Sequence, residues 1–206
     1  MKITVSRSNT KIGKIANFSV SCLTTCPGQT TWCAKKCYAK RLEVQYPNVR
    51  SSYADNFKLS KLSNFSRMVT LELKKLPESY TKVRIHVGGD FYSVLYINKW
   101  ISIVKSNPNL SFYAYTKSWR IPHMIPHLQK LAALSNMVLF ASTDLETFNL
   151  GETVPLGFRE AYAGDIKPAG RRLTHCLVQT KTKDTCDACN LCMNKKINTN
   201  IYFSTH

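Results

Sequence analysis

Strands and amphipathic helices alternate through the middle of this 206-residue sequence, and that alternation restricts the fold more than any other feature. Val83-Arg84-Ile85-His86-Val87 alternates apolar and polar residues, the pattern of a half-buried strand, and it stops at Gly88-Gly89-Asp90. Ile97, Trp100, Ile101 and Val104 mark one helix face, closed by Asn107-Pro108. Leu110 to Tyr115 is the next strand, Pro122 opens a helix carrying Ile125, Leu128, Leu131 and Leu134, and Asn136 to Ser142 is a further strand. Upstream, residues 14–20 form a first strand. A helix follows in which Leu62, Phe65, Val69, Leu73 and Leu76 share a face that Pro77 ends. From Tyr38 to about Tyr53 the chain reads as a polar connection.

Strands joined by helices pair in parallel through right-handed crossovers. The expected class is α/β: a partial (β/α) barrel of about four to five βα units, too few for eight strands. Ligands of such sheets sit at the carboxyl ends of the strands. Gly88-Gly89-Asp90, Thr116-Lys117-Ser118 and Thr143-Asp144 each follow a strand. Residues 1–169 are assigned to this barrel, and 170–206, which lack periodicity, to a cysteine-rich metal-binding segment held mainly by its own cysteines.

Eight cysteines fall into two groups. No apolar run approaches the ~20 residues of a membrane span, and residues 1–14 lack the apolar core of a secretory signal. The expected location is therefore the cytoplasm, with no membrane partner, where clustered thiols bind metal more often than they form disulfides. Cys186-x2-Cys189-x2-Cys192, with Cys176 ten residues earlier, has the shared-middle spacing of a cubane iron–sulfur site. Zinc, which usually takes two separated pairs, is the alternative metal. The first group is Cys22-x3-Cys26-x6-Cys33-x3-Cys37. If Cys26, Cys33 and Cys37 bind one [4Fe–4S] cluster, its fourth iron is open; if Cys22 also binds, the site closes and is structural. The glycines of Gly88-Gly89-Asp90 admit two readings, a turn that needs their backbone freedom or close approach to a ligand that Asp90 would bind.

There are 29 Lys and Arg against 12 Asp and Glu, a formal charge of +17, which calls for an anionic partner, nucleic acid first. Residues 1–42 hold eight bases, and the first acid is Glu43. Trp32, Tyr38, Tyr46, Tyr53, Tyr113 and Tyr115 interleave with bases, as stacking on single strands requires, although strand tyrosines are commonly core. Lys117 and Arg120 are candidates to hold a phosphate or carboxylate. His86 reads as core, His123 and His127 as surface, and His175 as a minor candidate ligand.

The segments Cys26-Pro27-Gly28-Gln29, Cys33-x3-Cys37-Tyr38-Ala39, Tyr46-Pro47-Asn48-Val49-Arg50 and His86-x-Gly88-Gly89-Asp90-Phe91-Tyr92-Ser93, with the block from Cys176 to Cys192, resemble the phage and plasmid gene-product-88 family. That resemblance implies a mobile-element protein and no particular activity. More distantly, the layout is similar to radical S-adenosylmethionine enzymes. It then implies cluster ligation by Cys26, Cys33 and Cys37, an auxiliary cluster at Cys176, Cys186, Cys189 and Cys192, and S-adenosylmethionine as a second cofactor. Gly88, Gly89, Asp90 and Tyr38 would be the cofactor-binding residues. The expectation is thus a radical-SAM-like iron–sulfur protein whose basic surface engages nucleic acid, with catalysis left open. The alternative is a non-catalytic protein that binds nucleic acid or a host protein and carries structural iron–sulfur or zinc sites.

Overall fold

The computed structural model describes residues 1–7 and 11–205. Strand β1 (Ile15–Phe18) leads through four helices, α1 (Thr31–Lys35), α2 (Tyr38–Gln45), α3 (Pro47–Ser60) and α4 (Phe65–Leu73), to β2 (Lys82–Ile85). Then come α5 (Val94–Lys105), β3 (Ser111–Thr116), two short 3₁₀ turns, α6 (Ile125–Ala132), β4 (Met137–Thr143), α7 (Leu145–Asn149) and β5 (Arg159–Gly164). The last elements are β6 (Thr174–His175), α8 (Cys186–Cys189) and β7 (Ile201–Ser204). Among the described residues the seven strands pair in parallel in the order β1-β2-β3-β4-β5-β7-β6, and one isolated antiparallel bridge joins Ser6 to Asn17 of β1. The α/β class and the parallel sheet are as expected. The sheet has two edges, β1 and β6, and its pairing does not close.

The order β1 to β5 runs without reversal, so crossovers of one hand place their helices on one side of the sheet. That side is the larger core. Phe18, Val83, Ile85, Phe112, Ala114, Met137, Leu139 and Ala141 pack there against Phe65, Val69 and Leu73 of α4, Ile97, Trp100, Ile103 and Val104 of α5, and Leu128 and Leu131 of α6. Phe18, Phe65 and Trp100 meet edge to face at ring-centroid distances of 5.2 to 6.1 Å, the geometry that aromatic quadrupoles favour. Helix α5 starts where the Ser93 hydroxyl accepts from the Tyr96 N–H at 3.2 Å. Ser93→Ala is expected to lower stability by about 1 kcal/mol, read as a lower urea midpoint at unchanged slope; an unmoved midpoint would show that this cap contributes nothing.

The opposite face carries Ile15, Tyr113, Val138, Phe140, Ala161 and Ile201, and no crossover helix covers it. Residues 170–205 do. Met193 is buried against it, and Leu191, Cys176, Cys186 and Cys192 pack beside. This segment is held by more than its cysteines: β7 lies against β5, and β6 against β7. Strands covered on both faces read as continuous apolar runs rather than alternations, and six of the seven residues of β4 are buried.

Two helices occupy the stretch expected to be a polar connection. Pro47 opens α3 at its first turn, where a missing N–H costs nothing. Their buried residues include Glu43, Asn56 and Ser60, so no apolar stripe announces them. No helix among the described residues is long and apolar enough to cross a membrane.

Candidate functional site

The first cysteine group lies where β1 ends. Val20 N–H donates to Gly88 O at 3.1 Å, joining the start of the loop to the turn after β2. Thr30 caps α1 by accepting from Cys33 N–H at 3.0 Å. Cys37 caps α2, its sulfur accepting from Lys40 N–H at 3.4 Å. Cys22 is buried, whereas Cys26, Cys33 and Cys37 are half-buried. The neighbouring Cys37, burial and Glu43, which accepts from Cys22 N–H at 2.5 Å, hold the Cys22 thiol far above the usual thiol range. The Cys22 thiol beside it, with the N–H groups of Lys40 and Ala39, outweighs desolvation and lowers the Cys37 thiol to about 6. Burial pushes Cys33 up to about 11 against the opposing charge of Lys117, and pushes Cys26 higher, with Asp90, Cys33 and Cys37 adding to it. Cys26 thus feels the charge of Cys33 and Cys37, and Cys33 that of Cys37.

Beneath this loop is a buried polar network joining three strand ends. Asp90 is 5% exposed, and its carboxylate accepts from Thr116 Oγ1 at 2.6 Å, Phe91 N–H at 2.7 Å and Lys117 N–H at 2.7 Å. Desolvation still raises it to about 6, with those donors pulling the other way. Lys117 Nζ lies 2.6 Å from Asp144 Oδ2, the two side chains being 7% and 0% exposed. Asp144 also accepts from Thr30 Oγ1 at 2.6 Å, and it caps α7 through Glu146 and Thr147 N–H. Arg120 grips Glu152 with two short bonds and donates to Gly28 O at 2.9 Å. Lys117 and Arg120 therefore hold carboxylates, but the chain's own.

The glycines are explained by close packing. A Cβ on Gly28 would lie 2.0 Å from Lys117 O. One on Gly88 would meet Tyr53 and the Cys22 sulfur at 2.6 and 2.8 Å, and Gly89 adopts φ +79°. Tyr38 is 48% exposed; its hydroxyl donates to Val87 O at 3.0 Å and accepts from Arg84 Nη2 at 3.1 Å. The structure thus gathers Tyr38, Gly88, Gly89 and Asp90 around the first cysteine loop. Three of the roughly four acceptor positions of the Asp90 carboxylate are already filled by Thr116, Phe91 and Lys117.

The second group lies against the inner sheet face. Helix α8 is capped by Thr185 and ends at Asn190, in the left-handed region at φ 57°. Cys186 N–H donates to Lys11 O and Asp187 N–H to Ile12 O, and Asp187 pairs with Lys82 at 2.7 Å. Cys176 N–H donates to Tyr202 O at 2.9 Å. Burial pushes Cys192 up to about 12, the Tyr115 hydroxyl opposes this, and Cys176, Cys186 and Cys189 add repulsion. Burial also raises Cys186, with Cys176 next in effect and Arg84 opposing. Cys176, Cys186 and Cys189 thus all act on Cys192, from as far as sixteen positions along the chain.

None of the eight cysteines is in a disulfide. A single tetrahedral ion draws its ligands to ~2.0–2.3 Å of one point; among the described residues no three His, Cys, Asp or Glu side chains are so arranged. The thiolate donor set itself suits zinc or an iron–sulfur cluster.

His86 is buried in the helix-side core, with Nε2 2.9 Å from the Tyr96 hydroxyl, and burial beside Arg84 lowers it to about 3. His123 is exposed, His127 bonds Asn98 at the surface, and His175 packs on Tyr202 at 4.7 Å. Of the aromatics expected to stack on nucleic acid, Tyr53 and Tyr113 are buried, while Trp32 and Tyr115 are partly covered. Tyr38 and Tyr46 remain 48% and 44% exposed. The buried Lys117–Asp144 pair and the Glu43 bond to Cys22 were not legible as site features, since their partners lie 27 and 21 residues apart.

Fold and site together define an open, singly wound α/β protein with one thiol group at the carboxyl edge of its sheet and another on the face without crossover helices. The family model described as "Gene product 88" matches residues 2–195, and the chain belongs to that family. It is 28% identical over 205 residues to the Gene 88 protein of Mycobacterium phage L5, covering 88% of this chain and 82% of that one. The Gene 88 protein of Mycobacterium phage D29 is 27% identical over 207 residues at the same coverages. No solved structure matches.

Proposed function

We propose that the chain is an iron–sulfur protein of a phage or mobile element whose basic surface engages nucleic acid. Cys26, Cys33 and Cys37 would hold one cluster, and Cys176, Cys186, Cys189 and Cys192 the other. The observation that carries this reading is the set of seven free, half-buried thiols in two groups at cluster-like spacing, Cys26 to Cys37 and Cys176 to Cys192, while Cys22 alone is buried. Soft thiolates in a cytoplasm-like setting favour iron–sulfur or zinc over hard cations.

A bound cluster would supply an electron-accepting or Lewis-acidic centre. The chain's own contribution is placement: α1 carries Cys33 in its first turn, Cys37 caps α2, and the buried Lys117–Asp144 ion pair acts on Cys33 with both of its charges. The turn after β2 is poorly suited to receive S-adenosylmethionine. The Asp90 carboxylate that would take its amine is engaged by Thr116, Phe91 and Lys117, and the three-residue turn packs against Cys22, Val20 and Tyr53.

Anaerobic purification is expected to give a brown protein with about eight irons and matching sulfide, two cubanes' worth. Replacing Cys26, Cys33 and Cys37 by Ala should remove about half the iron, and so should replacing Cys186, Cys189 and Cys192. A colourless protein containing only zinc would overturn the proposal, and it would establish the structural-zinc reading instead.

A further inference from the structure

We infer that the exposed side of α1–α3 is a binding track for single-stranded nucleic acid, built on Tyr46 and Tyr38 as stacking platforms with Lys35, Lys36, Arg41 and Arg50 as phosphate contacts. This deepens the nucleic-acid part of the proposed function and rests on it, but it does not depend on metal.

The charge is one-sided for a structural reason. From residue 1 to residue 54 the only acid is Glu43. The fold removes that acid from the surface: Glu43 is 4% exposed and turned to the Cys22 N–H, with Lys40 Nζ at 3.7 Å. Lys35, Lys36, Arg41 and Arg50 stay exposed. Helices α1 to α3 therefore display base with no surface carboxylate of their own before Asp55.

The aromatics are placed for stacking. Tyr38, Arg41 and Gln45 are all exposed and recur at i, i+3 and i+7, one face of α2. Tyr46 is the joint where α2 ends and α3 begins, and Arg50 lies one turn further on. Two hydrogen bonds to the Tyr38 hydroxyl, on Val87 O and Arg84, fix its ring while leaving it 48% exposed. A ring held in this way loses little freedom when a base stacks on it. Exposed ring faces between bases suit unpaired nucleotides, because a duplex already stacks its own bases. The alternating order Lys35, Lys36, Tyr38, Arg41, Tyr46, Arg50 gives phosphate and base contacts in turn. Tyr38 directly follows Cys37, so the track leads to the first thiol group.

The test is fluorescence anisotropy with a labelled 15-nucleotide oligo(dT), its RNA equivalent and a duplex of the same length. Both single strands are expected to bind more tightly than the duplex. Tyr46→Ala should weaken single-strand binding about tenfold, the scale of one lost stack, and Tyr46→Phe should restore it. The triple variant Lys35→Gln, Lys36→Gln, Arg41→Gln should make the log–log salt dependence shallower by about 2. Lys105→Gln with Lys130→Gln, exposed bases on α5 and α6, should leave the affinity unchanged. Circular dichroism checks that each variant is folded. Equal binding of duplex and single strand, or indifference to Tyr46, would overturn the inference. So would absence of nucleic-acid binding with salt-sensitive capture of an acidic polypeptide such as polyglutamate. Iron measured on the same preparations separates the two claims: a full complement with no strand binding defeats the track alone, and strand binding by an iron-free protein defeats the clusters alone.

Discussion

Lys117→Met is expected to lower stability by about 3–5 kcal/mol, because it leaves the Asp144 carboxylate charged, buried and without its counter-ion. Asp144 is 0% exposed, and its Oδ2 sits 2.6 Å from Lys117 Nζ. The hydroxyl of Thr30 and the N–H groups of Glu146 and Thr147 remain as donors in the variant, but none carries charge. The pH dependence has a definite sign. Desolvation pushes Asp144 upward, yet Lys117 and the donors outweigh it and hold it below the usual carboxylate value. A group depressed in the folded state contributes stability above its unfolded pKa of about 4, and that contribution is lost as pH falls through the folded value. Without Lys117 the folded value rises, so acid unfolding of the variant should begin at higher pH than in the parent. Urea titrations at neutral and mildly acid pH measure both effects. The double variant Lys117→Met/Asp144→Asn should recover a substantial part of the loss, since no unpaired charge remains. A single variant within about 1 kcal/mol of the parent would instead show an exposed, weak pair.

Gly28→Ala is the second large effect. Its new Cβ would stand 2.0 Å from the carbonyl oxygen and 2.6 Å from the carbonyl carbon of Lys117, with Ser118 N at 3.1 Å. These are backbone atoms at the end of β3, so neither side can move as a flexible side chain would. Overpacking ordinarily costs about 1–3 kcal/mol, and the upper end is expected here. The damage should be local. The loop carrying Cys26 and Cys33 must lift from the sheet, while the second group, on the other face, stays in place. In metal-free protein, alkylation of Cys26 and Cys33 should speed up with little change at Cys186 and Cys189. Under the proposed function, iron content should fall by about half. Unchanged alkylation and unfolding would show that the loop does not rest on Lys117.

The alternating core of the fold was legible because its strands and helices each commit to one period. Ile97, Trp100 and Val104 do so on α5, and Leu128 and Leu131 on α6, and all five are buried. Helices α2 and α3 were hidden because their inward positions include Glu43, Asn56 and Ser60, polar residues satisfied by partners far along the chain. Strand β5 was missed for a related reason. Arg159-Glu160-Ala161-Tyr162 buries two charged residues whose partners, Asn194, Leu191, Thr143 and Asn200, are distant in sequence. At the site, spacing placed the thiols in two groups and the strand-end rule placed Gly88 to Asp90 beside the first. It could not tell whether Asp90, Lys117 and Arg120 face a ligand or each other. Only folding brings Thr116, Asp144 and Glu152 to meet them.

The position of β7 in the strand order has a consequence for how the chain is made. Strands β1 to β5 lie side by side in the order of their synthesis, so each can add to its predecessor as the ribosome delivers it. β6 cannot, because among the described residues it pairs with β7 alone, which inserts between β5 and β6. Until residue 204 has emerged, β5 presents an unpaired edge and Tyr113, Val138 and Phe140 lack their cover. A nascent chain stalled short of that point is a sticky, half-lidded sheet, and its last four cysteines can meet only after translation has passed them all.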